Sequence, residues 1–314
     1  MIFSDVPSLT SIRLSEATLA AARNCEDFEV CGFVTAVDRP TKGPLERLKS
    51  DARRLLEATT GGGWPNVWNP NLQRLAEHSK LPYLVAEEGV NSSVFVERLH
   101  RDLQPDVILS YFATSIFKPV LLDSVSQAVN YHDGLLPHYA GLGATSHSIH
   151  RGESFSGYTF HRMTPGIDDG PILIQGKVMV TETATLRSVN RAKVTSATAE
   201  VPDLIDQIRA DRPGSPQSGE GSYFSQAAYG EVTKIEDPNT LTAAELRLRV
   251  RAFGTLEVRI DGATEYVTSV ASASAGDPLS FATSDGQVLK ATRIADLPTA
   301  LIRGRRRLRG KLRA

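Results

Sequence analysis

Two side chains that could act on an acyl group stand one residue apart, Asn130 and His132. They end the apolar run Ala128–His132, which predicts a β-strand, and side chains two apart on a strand face the same side. An amide and an imidazole together can stabilise the oxyanion that forms when a nucleophile attacks an acyl group, and histidine exchanges protons near neutral pH. A carboxylate would keep the imidazole charged and oriented. Asp168 and Asp169 are the candidates nearby in sequence.

An Asn-x-His pair taken alone does not require catalysis. Such pairs also occur as exposed polar residues or as hydrogen-bonding groups at strand ends. More histidines follow in the same region, a clustering that a metal site could have: His138, His147, His150 and His161. Their spacing does not match a metal-binding pattern, so the sequence predicts a site without metal.

Short apolar runs alternate with amphipathic stretches over the first two thirds of the chain, which predicts an α/β domain with a Rossmann-like, mainly parallel sheet. Asp133-Gly134 ends the strand that carries Asn130 and His132, so the pair lies near its carboxyl end, where open α/β sheets usually bind ligands. A loop is predicted over Gly61–Pro70, which is rich in Gly, Pro and Trp. The predicted strands are Met1–Val6, Phe28–Val37, Tyr83–Ala86, Asp106–Phe112 and Ala128–His132, and the predicted helices are Leu45–Ala58 and Val94–Leu103.

Two strings carry a resemblance to a known superfamily. The first is N-Y-H-D-G-L-L-P-H-Y-A-G-L, from Asn130 to Leu142, and the second is H-R-M-T-P-G-I-D-D-G-P-I-L, from His161 to Leu173. They place Asn-x-His, Leu-Leu-Pro and an Asp before a Gly in the order and at the spacing of the folate-dependent formyltransferases. The sequence therefore resembles that superfamily, which includes methionyl-tRNA formyltransferase, glycinamide ribonucleotide transformylase and the sugar N-formyltransferases.

The resemblance implies that Asn130, His132 and Asp168 are catalytic and that 10-formyltetrahydrofolate donates the formyl group, with no metal. Asp168 is preferred over Asp169 because it stands two residues before Gly170, as the family's aspartate does before its glycine. In the implied mechanism, a neutral amine attacks the formyl carbon, and the Asn130 amide and protonated His132 hold the oxyanion. Asp168 keeps His132 charged and helps carry the proton of the amine toward N10 of the folate.

The same resemblance implies which residues bind the folate. The segment Ser115–Phe117, after the strand DVILSYF, matches the backbone that holds the pterin ring, and the loop Thr164–Asp168 would close the other side of the pocket. Leu136 and Pro137 would shape the turn beneath the pocket, and His161 would support the loop in a structural role. The implied folate-binding residues are Ser115, Ile116, Phe117, Leu136, Pro137, Thr164, Gly166 and Ile167.

The composition changes beyond the α/β part. Residues 206–222, polar and rich in Pro, Gly and Ser, are predicted to link a catalytic domain, 1–205, to a second domain, 223–314. The second domain contains a capping-box sequence at Thr242–Glu245 and a helix through Arg251. β-rich runs follow, separated by hairpin-turn signals: Leu256–Ile260, Glu265–Val270 and Val288–Thr292, with Asp261-Gly262 and Asp285-Gly286. This pattern predicts a small β-barrel-like domain, and it resembles the C-terminal barrel of methionyl-tRNA and several sugar formyltransferases.

The overall composition is that of an ordinary globular protein. Of 314 residues, 41% are hydrophobic and 23% charged, and the net charge of −1 gives no general argument for a nucleic-acid or membrane partner. Cys25 and Cys31 are expected to be reduced thiols. No stretch is apolar enough for a membrane span, and the N-terminus has no secretory signal pattern, so a cytoplasmic location is expected.

The acceptor amine is expected to belong to a small molecule, such as an amino-sugar nucleotide or an N-hydroxyornithine. Glycinamide ribonucleotide is disfavoured because Ser4–Thr10, after the first strand, contains no glycine that would let the backbone approach a phosphate. Methionyl-tRNA remains an alternative, because methionyl-tRNA formyltransferase also has a C-terminal barrel. However, the Gly-Thr-Pro turn that normally follows its first strand is missing here, and its basic insertion is reduced to residues 39–44. The basic tail Arg303–Arg313 could contact tRNA phosphates or be a solvated end of the barrel. A formyltetrahydrofolate hydrolase and a non-catalytic binding protein are less favoured, and a homodimer is possible.

Overall fold

The protein is described from a computed structural model, for residues 1–5, 8–36, 72–274 and 276–293. The chain divides into two compact units, Met1–Ser225 and Gln226–Ala314. Four predicted features lie outside the described residues: the helix Leu45–Ala58, the loop Gly61–Pro70, the segment 39–44 and the basic tail Arg303–Arg313. Within the described part of the chain, no helix is long and apolar enough to cross a membrane.

The first unit is built on a seven-stranded sheet. Its strands are β1 (Ile2–Phe3), β2 (Phe33–Ala36), β3 (Tyr83–Ala86), β4 (Val107–Tyr111), β5 (Gln127–His132), β7 (Phe155–Arg162) and β8 (Ile172–Met179). Their order across the sheet is β3-β2-β1-β4-β5-β7-β8. β1 to β5 run parallel to one another, and β7 and β8 are added antiparallel at one edge. This confirms the prediction of an α/β fold with a mainly parallel sheet.

Helices cover both faces of this sheet, as parallel strands require. Two of them begin with reciprocal side-chain caps, Ser8 with Ser11 and Thr185 with Ser188. The helices of the first unit are α1 (Leu9–Ala22), α2 (Leu72–Ser79), α3 (Ser93–Asp102), α4 (Pro119–Leu122), α5 (Ala144–His150), α6 (Leu186–Ala199) and α7 (Val201–Arg209).

The alternation of β5 divides its residues between two apolar cores. Val129 and Tyr131 belong to the core that includes residues of α1 and α7, whereas Ala128 belongs to the core on the opposite face. Asn130 and His132 therefore project to the same side as Ala128, two and four residues further along the strand. The predicted strand is thus an interior strand of the sheet, with its polar pair at its carboxyl end.

The domain boundary differs from the predicted one. The first unit ends after Ser225, so the predicted linker 206–222 lies within it. Two features explain the difference. Helix α7 continues to Arg209, and Ser215 forms a β-bridge with Ile172 on β8. β9 (Tyr223–Phe224) then pairs in parallel with β6 (Ala140–Gly141). A polar, Pro/Gly-rich composition marks irregular backbone here, but that backbone packs on the first unit.

The second unit contains a separate five-stranded sheet. Its elements are α8 (Gln226–Thr233), β10 (Lys234–Ile235), α9 (Ala243–Phe253), β11 (Leu256–Ile260), β12 (Ala263–Ser272), β13 (Ser280–Ala282) and β14 (Val288–Arg293). The strand order is β10-β11-β12-β14-β13. Helix α9 begins at the capping box of Thr242 and Glu245, as predicted. Asp261 and Gly262 both have positive φ, at 49° and 78°, which suits the two-residue hairpin between β11 and β12.

Candidate active site

His132 is held between a backbone carbonyl and a carboxylate. Its Nε2 lies 2.7 Å from the carbonyl oxygen of Tyr139, and its Nδ1 lies 3.3 Å from Oδ2 of Asp168. A carbonyl oxygen can only accept, so Nε2 carries the proton in this bond. Nδ1 can then donate to Asp168 only if the ring holds a second proton. The geometry therefore suits an imidazolium paired with a carboxylate, and the ring is 6% exposed.

Asp168 is more enclosed than its neighbour Asp169. Burial alone would raise the pKa of Asp168, but the charge of His132, a hydrogen bond from His161 and the amide of Gly141 outweigh it and lower that pKa to about 2. The Gly141 amide donates to Oδ2 at 2.9 Å. Asp169 turns away and accepts a hydrogen bond from Thr164. The structure thus brings Asp168, rather than Asp169, to His132.

The backbone of the Asp168 loop is fixed at several points. Asp168 has a φ of 53°, a left-handed conformation that Asp tolerates better than most residues. Gln217 donates its side-chain amide to the carbonyls of Asp168 at 2.7 Å and Gly170 at 2.8 Å. A Cβ at Gly170 would collide with the carbonyl oxygen of Arg162. This close approach gives a physical reason for the Asp-x-Gly spacing in the second string.

His161 lies at the centre of the site, although the sequence indicated only a structural role for it. Its Nδ1 donates to the carbonyl of Arg162 at 2.9 Å. Its Nε2 lies 3.2 Å from Nδ2 of Asn130 and 3.5 Å from Oδ1 of Asp168. A neutral His161 can accept from Asn130, and a charged one can donate to Asp168. His161 therefore joins Asn130 to the His132–Asp168 pair, which are otherwise separate groups.

The turn after β5 makes room for the imidazole of His132. A Cβ at Gly134 would lie 2.7 Å from Nε2 of His132, which is closer than real contacts allow. Two carbonyl oxygens of the turn also accept hydrogen bonds. The Lys193 ammonium donates to the Asp133 carbonyl at 2.6 Å, and the Thr159 hydroxyl donates to the Gly134 carbonyl at 2.6 Å. These anchors were not predicted, because they come from strands and helices distant in sequence.

The residues implied to bind folate fall in different places. Thr164 lines a cavity of about 310 Å³ together with Ala128 and Met163. The lining also includes Leu122, Asp123, Ser126, Gln127, Arg162 and Pro165. The remaining folate candidates, all of them described, are not among the residues that line this cavity: Ser115, Ile116, Phe117, Leu136, Pro137, Gly166 and Ile167.

These remaining candidates differ in exposure. Phe117 is buried against Phe3, with ring centroids 4.8 Å apart, and Leu136 is also buried. Ile116 and Ile167 are apolar but 56% and 46% exposed.

The other histidines of the region do not gather around a metal position. His147 stacks on Phe224, with ring centroids 3.9 Å apart, and burial lowers its pKa to about 4. Among the described residues, no group of three His, Cys, Asp or Glu side chains is arranged to hold a metal ion.

Comparisons with known proteins show which family the chain resembles. Residues 70–204 match the sequence profile of the family described as Formyl transferase. A GDP-perosamine N-formyltransferase of Brucella melitensis is 31% identical over 189 residues, which are 58% of this chain and 71% of that protein.

Solved structures share the fold. A sugar N-formyltransferase from Shewanella superposes with a TM-score of 0.60 at 20% identity, covering 85% of this chain and 95% of its own. An N-formyltransferase from Helicobacter canadensis, solved with folinic acid and dTDP-3-aminofucose, has a TM-score of 0.56 at 16% identity, covering 93% and 98%. At these identities the superpositions establish the fold alone.

Proposed function

Since the chain belongs to the formyl transferase family, we propose that it transfers a formyl group from 10-formyltetrahydrofolate to the amino group of a nucleotide-linked amino sugar. The chain is thus an enzyme, a formyltransferase of one-carbon metabolism. The observation that carries the proposal is the His132–Asp168 pair at 3.3 Å, at the carboxyl end of β5, in a chain 31% identical to a GDP-perosamine N-formyltransferase.

The first step is attack of the neutral amine on the formyl carbon, which puts negative charge on the formyl oxygen. Asn130 carries two N–H bonds on Nδ2, so one can face His161 while the other donates to this oxygen. The charge of His132 stabilises the same oxyanion, with its Nε2–H shared between that oxygen and the Tyr139 carbonyl. Both nitrogens of His132 already have partners, so His132 contributes through a fixed charge more than through a free donor.

The second step is cleavage of the bond between the formyl carbon and N10 of the folate. The amine must lose a proton and N10 must gain one. Asp168, with its pKa held near 2, is a carboxylate at neutral pH and can pass a proton directly or through water. His161 lies within 3.5 Å of the same carboxylate and can share this role.

The folate is proposed to bind on the side of β5 that carries Ala128, Asn130 and His132. The cavity there is formed in part by the apolar side chains of Ala128 and Met163 and by Thr164. Such a mixed, concave surface suits a flat heterocycle. Because the cavity of about 310 Å³ is smaller than a whole folate, the proposal assigns it to one ring. Ser115–Phe117 and Leu136–Pro137 stay proposed contacts for the rest of the molecule.

An amino-sugar nucleotide is favoured as the acceptor because of the proteins that this chain resembles. The Brucella relative acts on GDP-perosamine by name, and the Helicobacter structure holds dTDP-3-aminofucose. Neither name points to an N-hydroxyornithine or to methionyl-tRNA. The second unit is proposed to be barrel-like. The chain is further proposed to act in the cytoplasm and to form a homodimer in solution.

The test combines the purified protein with 10-formyltetrahydrofolate and one amine at a time: GDP-linked and dTDP-linked amino sugars, N-hydroxyornithine and Met-charged initiator tRNA. Tetrahydrofolate is followed by absorbance and the product by mass spectrometry. We expect turnover with an amino-sugar nucleotide, lost in His132→Ala and Asp168→Asn but retained in Asp206→Asn, a solvent-exposed carboxylate on α7. Turnover only with tRNA would replace the acceptor, and release of formate without an amine would indicate a hydrolase.

A further inference from the structure

The crevice between β1 and β4 is where ligands would be expected in this sheet. From β1 the chain proceeds to β2 and β3 on one side, and from β4 to β5 on the other. The carboxyl ends of such diverging strands form the crevice in which open α/β sheets usually bind a ligand. Asp5 follows β1 by two residues, and Thr114 and Ser115 follow β4 by three and four.

The carboxylate of Asp5 spans this crevice with four hydrogen bonds. Oδ1 accepts from the Thr114 amide at 2.7 Å, and Oδ2 accepts from the Thr114 hydroxyl at 3.0 Å. Oδ2 also accepts from the Ser115 amide at 3.1 Å and the Ser115 hydroxyl at 2.9 Å. Two successive backbone N–H groups that converge on one anion form a nest, the kind of concavity that elsewhere binds phosphate.

Asn91 holds the far end of the same loop. Its Nδ2 donates to the carbonyl of Ile116 at 2.8 Å, and its Oδ1 accepts from the amide of Lys118 at 2.7 Å. The stretch Thr114–Lys118 is therefore fixed at one end by a carboxylate and at the other by an amide. This fixed stretch includes Ser115–Phe117, the segment proposed above to contact the folate: Asp5 binds Ser115, and Asn91 binds Ile116.

We propose that Asp5 is a positioning residue for the folate co-substrate: its carboxylate occupies an anion-binding nest at Thr114 and Ser115 and so sets the folate-binding segment. This inference rests on the proposed function. It also gives a reason for the acidic residue Asp5 in the segment after β1, where the sequence has no glycine-rich phosphate-binding loop. With a carboxylate of the chain itself in the nest, a phosphate of a substrate is excluded from the crevice by charge and by volume.

The nest gives the proposal a test that a general loss of stability would not mimic. Asp5→Ala leaves a space shaped for a carboxylate and two amides without their partner. Acetate supplies the missing group, so added acetate should restore what the substitution removes. Asp5→Asn keeps the volume but turns an amide toward at least one donor, so it should weaken binding without responding to acetate.

Binding of folinic acid to the full chain is measured by calorimetry, with chloride at equal ionic strength as the salt control. We expect Asp5→Ala to weaken binding about tenfold or more, from the loss of charge-assisted hydrogen bonds, and acetate to reverse most of that loss. Asp5→Asn should bind several-fold more weakly than the wild type, with or without acetate. The control Asp237→Ala removes a carboxylate that accepts the Asn239 amide in the second unit, and should bind folinic acid as the wild type does.

Other outcomes would overturn either the positioning role or the proposed function. If Asp5→Ala binds folinic acid as the wild type does, or loses affinity that acetate does not restore, the positioning role is wrong. If Asp5→Ala does not fold, unchanged affinity in Asp5→Asn would equally refute that role. If the wild type itself binds no folate, the proposed function fails, independently of Asp5.

Discussion

The ammonium of Lys193 donates to the carbonyl oxygen of Asp133 at 2.6 Å, one residue beyond His132 in the chain. It also donates to the hydroxyl of Thr145 at 2.6 Å, and Thr145 in turn donates to Oδ2 of Asp133 at 2.9 Å. Lys193 is 1% exposed, an unusual environment for a cation. The turn that follows His132 is thus anchored by a buried charge on α6.

Lys193→Met should lower kcat about tenfold while leaving the affinity for folate within about twofold. The methionine fills the space but leaves the Asp133 carbonyl and the Thr145 hydroxyl without a donor, which costs about 1–3 kcal/mol per group. Steady-state kinetics and urea unfolding measure the two effects. Lys177→Met, at an exposed position of β8, is the matched control and should change neither. A loss of stability with an unchanged kcat would show that the anchor has no bearing on His132.

The burial of Lys193 also predicts how stability depends on pH. Burial lowers the pKa of Lys193 to about 8 from 10.5, although the charge of Asp133 opposes the shift. Between pH 8 and 10.5, the unfolded chain binds more protons at Lys193 than the folded chain does. The free energy of unfolding therefore increases as the pH rises through this range. We therefore expect the stability difference between the wild type and Lys193→Met to grow in favour of the wild type from pH 8 toward 10.5. Urea unfolding at several pH values would contradict this if the difference stayed constant.

The elements that the sequence predicted well are those with local signals. β3 has the predicted bounds, β4 is one residue shorter than predicted at each end, and β5 begins one residue earlier. The capping box opens α9 where expected. The first strand, predicted over Met1–Val6, is confined in the described residues to Ile2–Phe3. β7 and β8 were not predicted as strands, because their antiparallel pairing on the edge of a parallel sheet depends on contacts distant in sequence.

The site shows the same division between local and distant signals. Strand alternation placed Asn130 and His132 on one face, whereas Asp168 was preferred over Asp169 only through the resemblance, in which the family's aspartate stands two residues before a glycine. The partners that fix them had no local signal: Gln217 lies in a segment predicted as a linker, and Asp5 bonds to Thr114 across 109 residues. A linear pattern reveals which groups could react, whereas the groups that orient them depend on the packed fold.

His161→Phe should lower kcat by about ten- to a hundredfold with little change in folate affinity. The phenyl ring keeps the buried volume but removes the hydrogen bond to Asn130 and the contact with Asp168. Asn130 would then lose its orientation, and one misplaced oxyanion donor costs at most about 10²–10³ in rate. His78→Gln, on the exposed face of α2, is the control. An unchanged kcat in His161→Phe would return His161 to the structural role that the sequence indicated.

Gly134→Ala should reduce kcat about a hundredfold or more, because the new methyl group would lie 2.7 Å from Nε2 of His132. It would also lie 2.8 Å from Cβ of Ala144, so overpacking should cost about 1–3 kcal/mol of stability. Gly230→Ala, on α8, meets no atom within 4 Å and serves as the control for a glycine replacement. Kinetics and thermal unfolding of both variants measure the effect. A normal kcat in Gly134→Ala would mean that the imidazole of His132 can leave the Tyr139 carbonyl and still support catalysis. His132 would then be held less tightly than its contacts with Tyr139 and Asp168 imply.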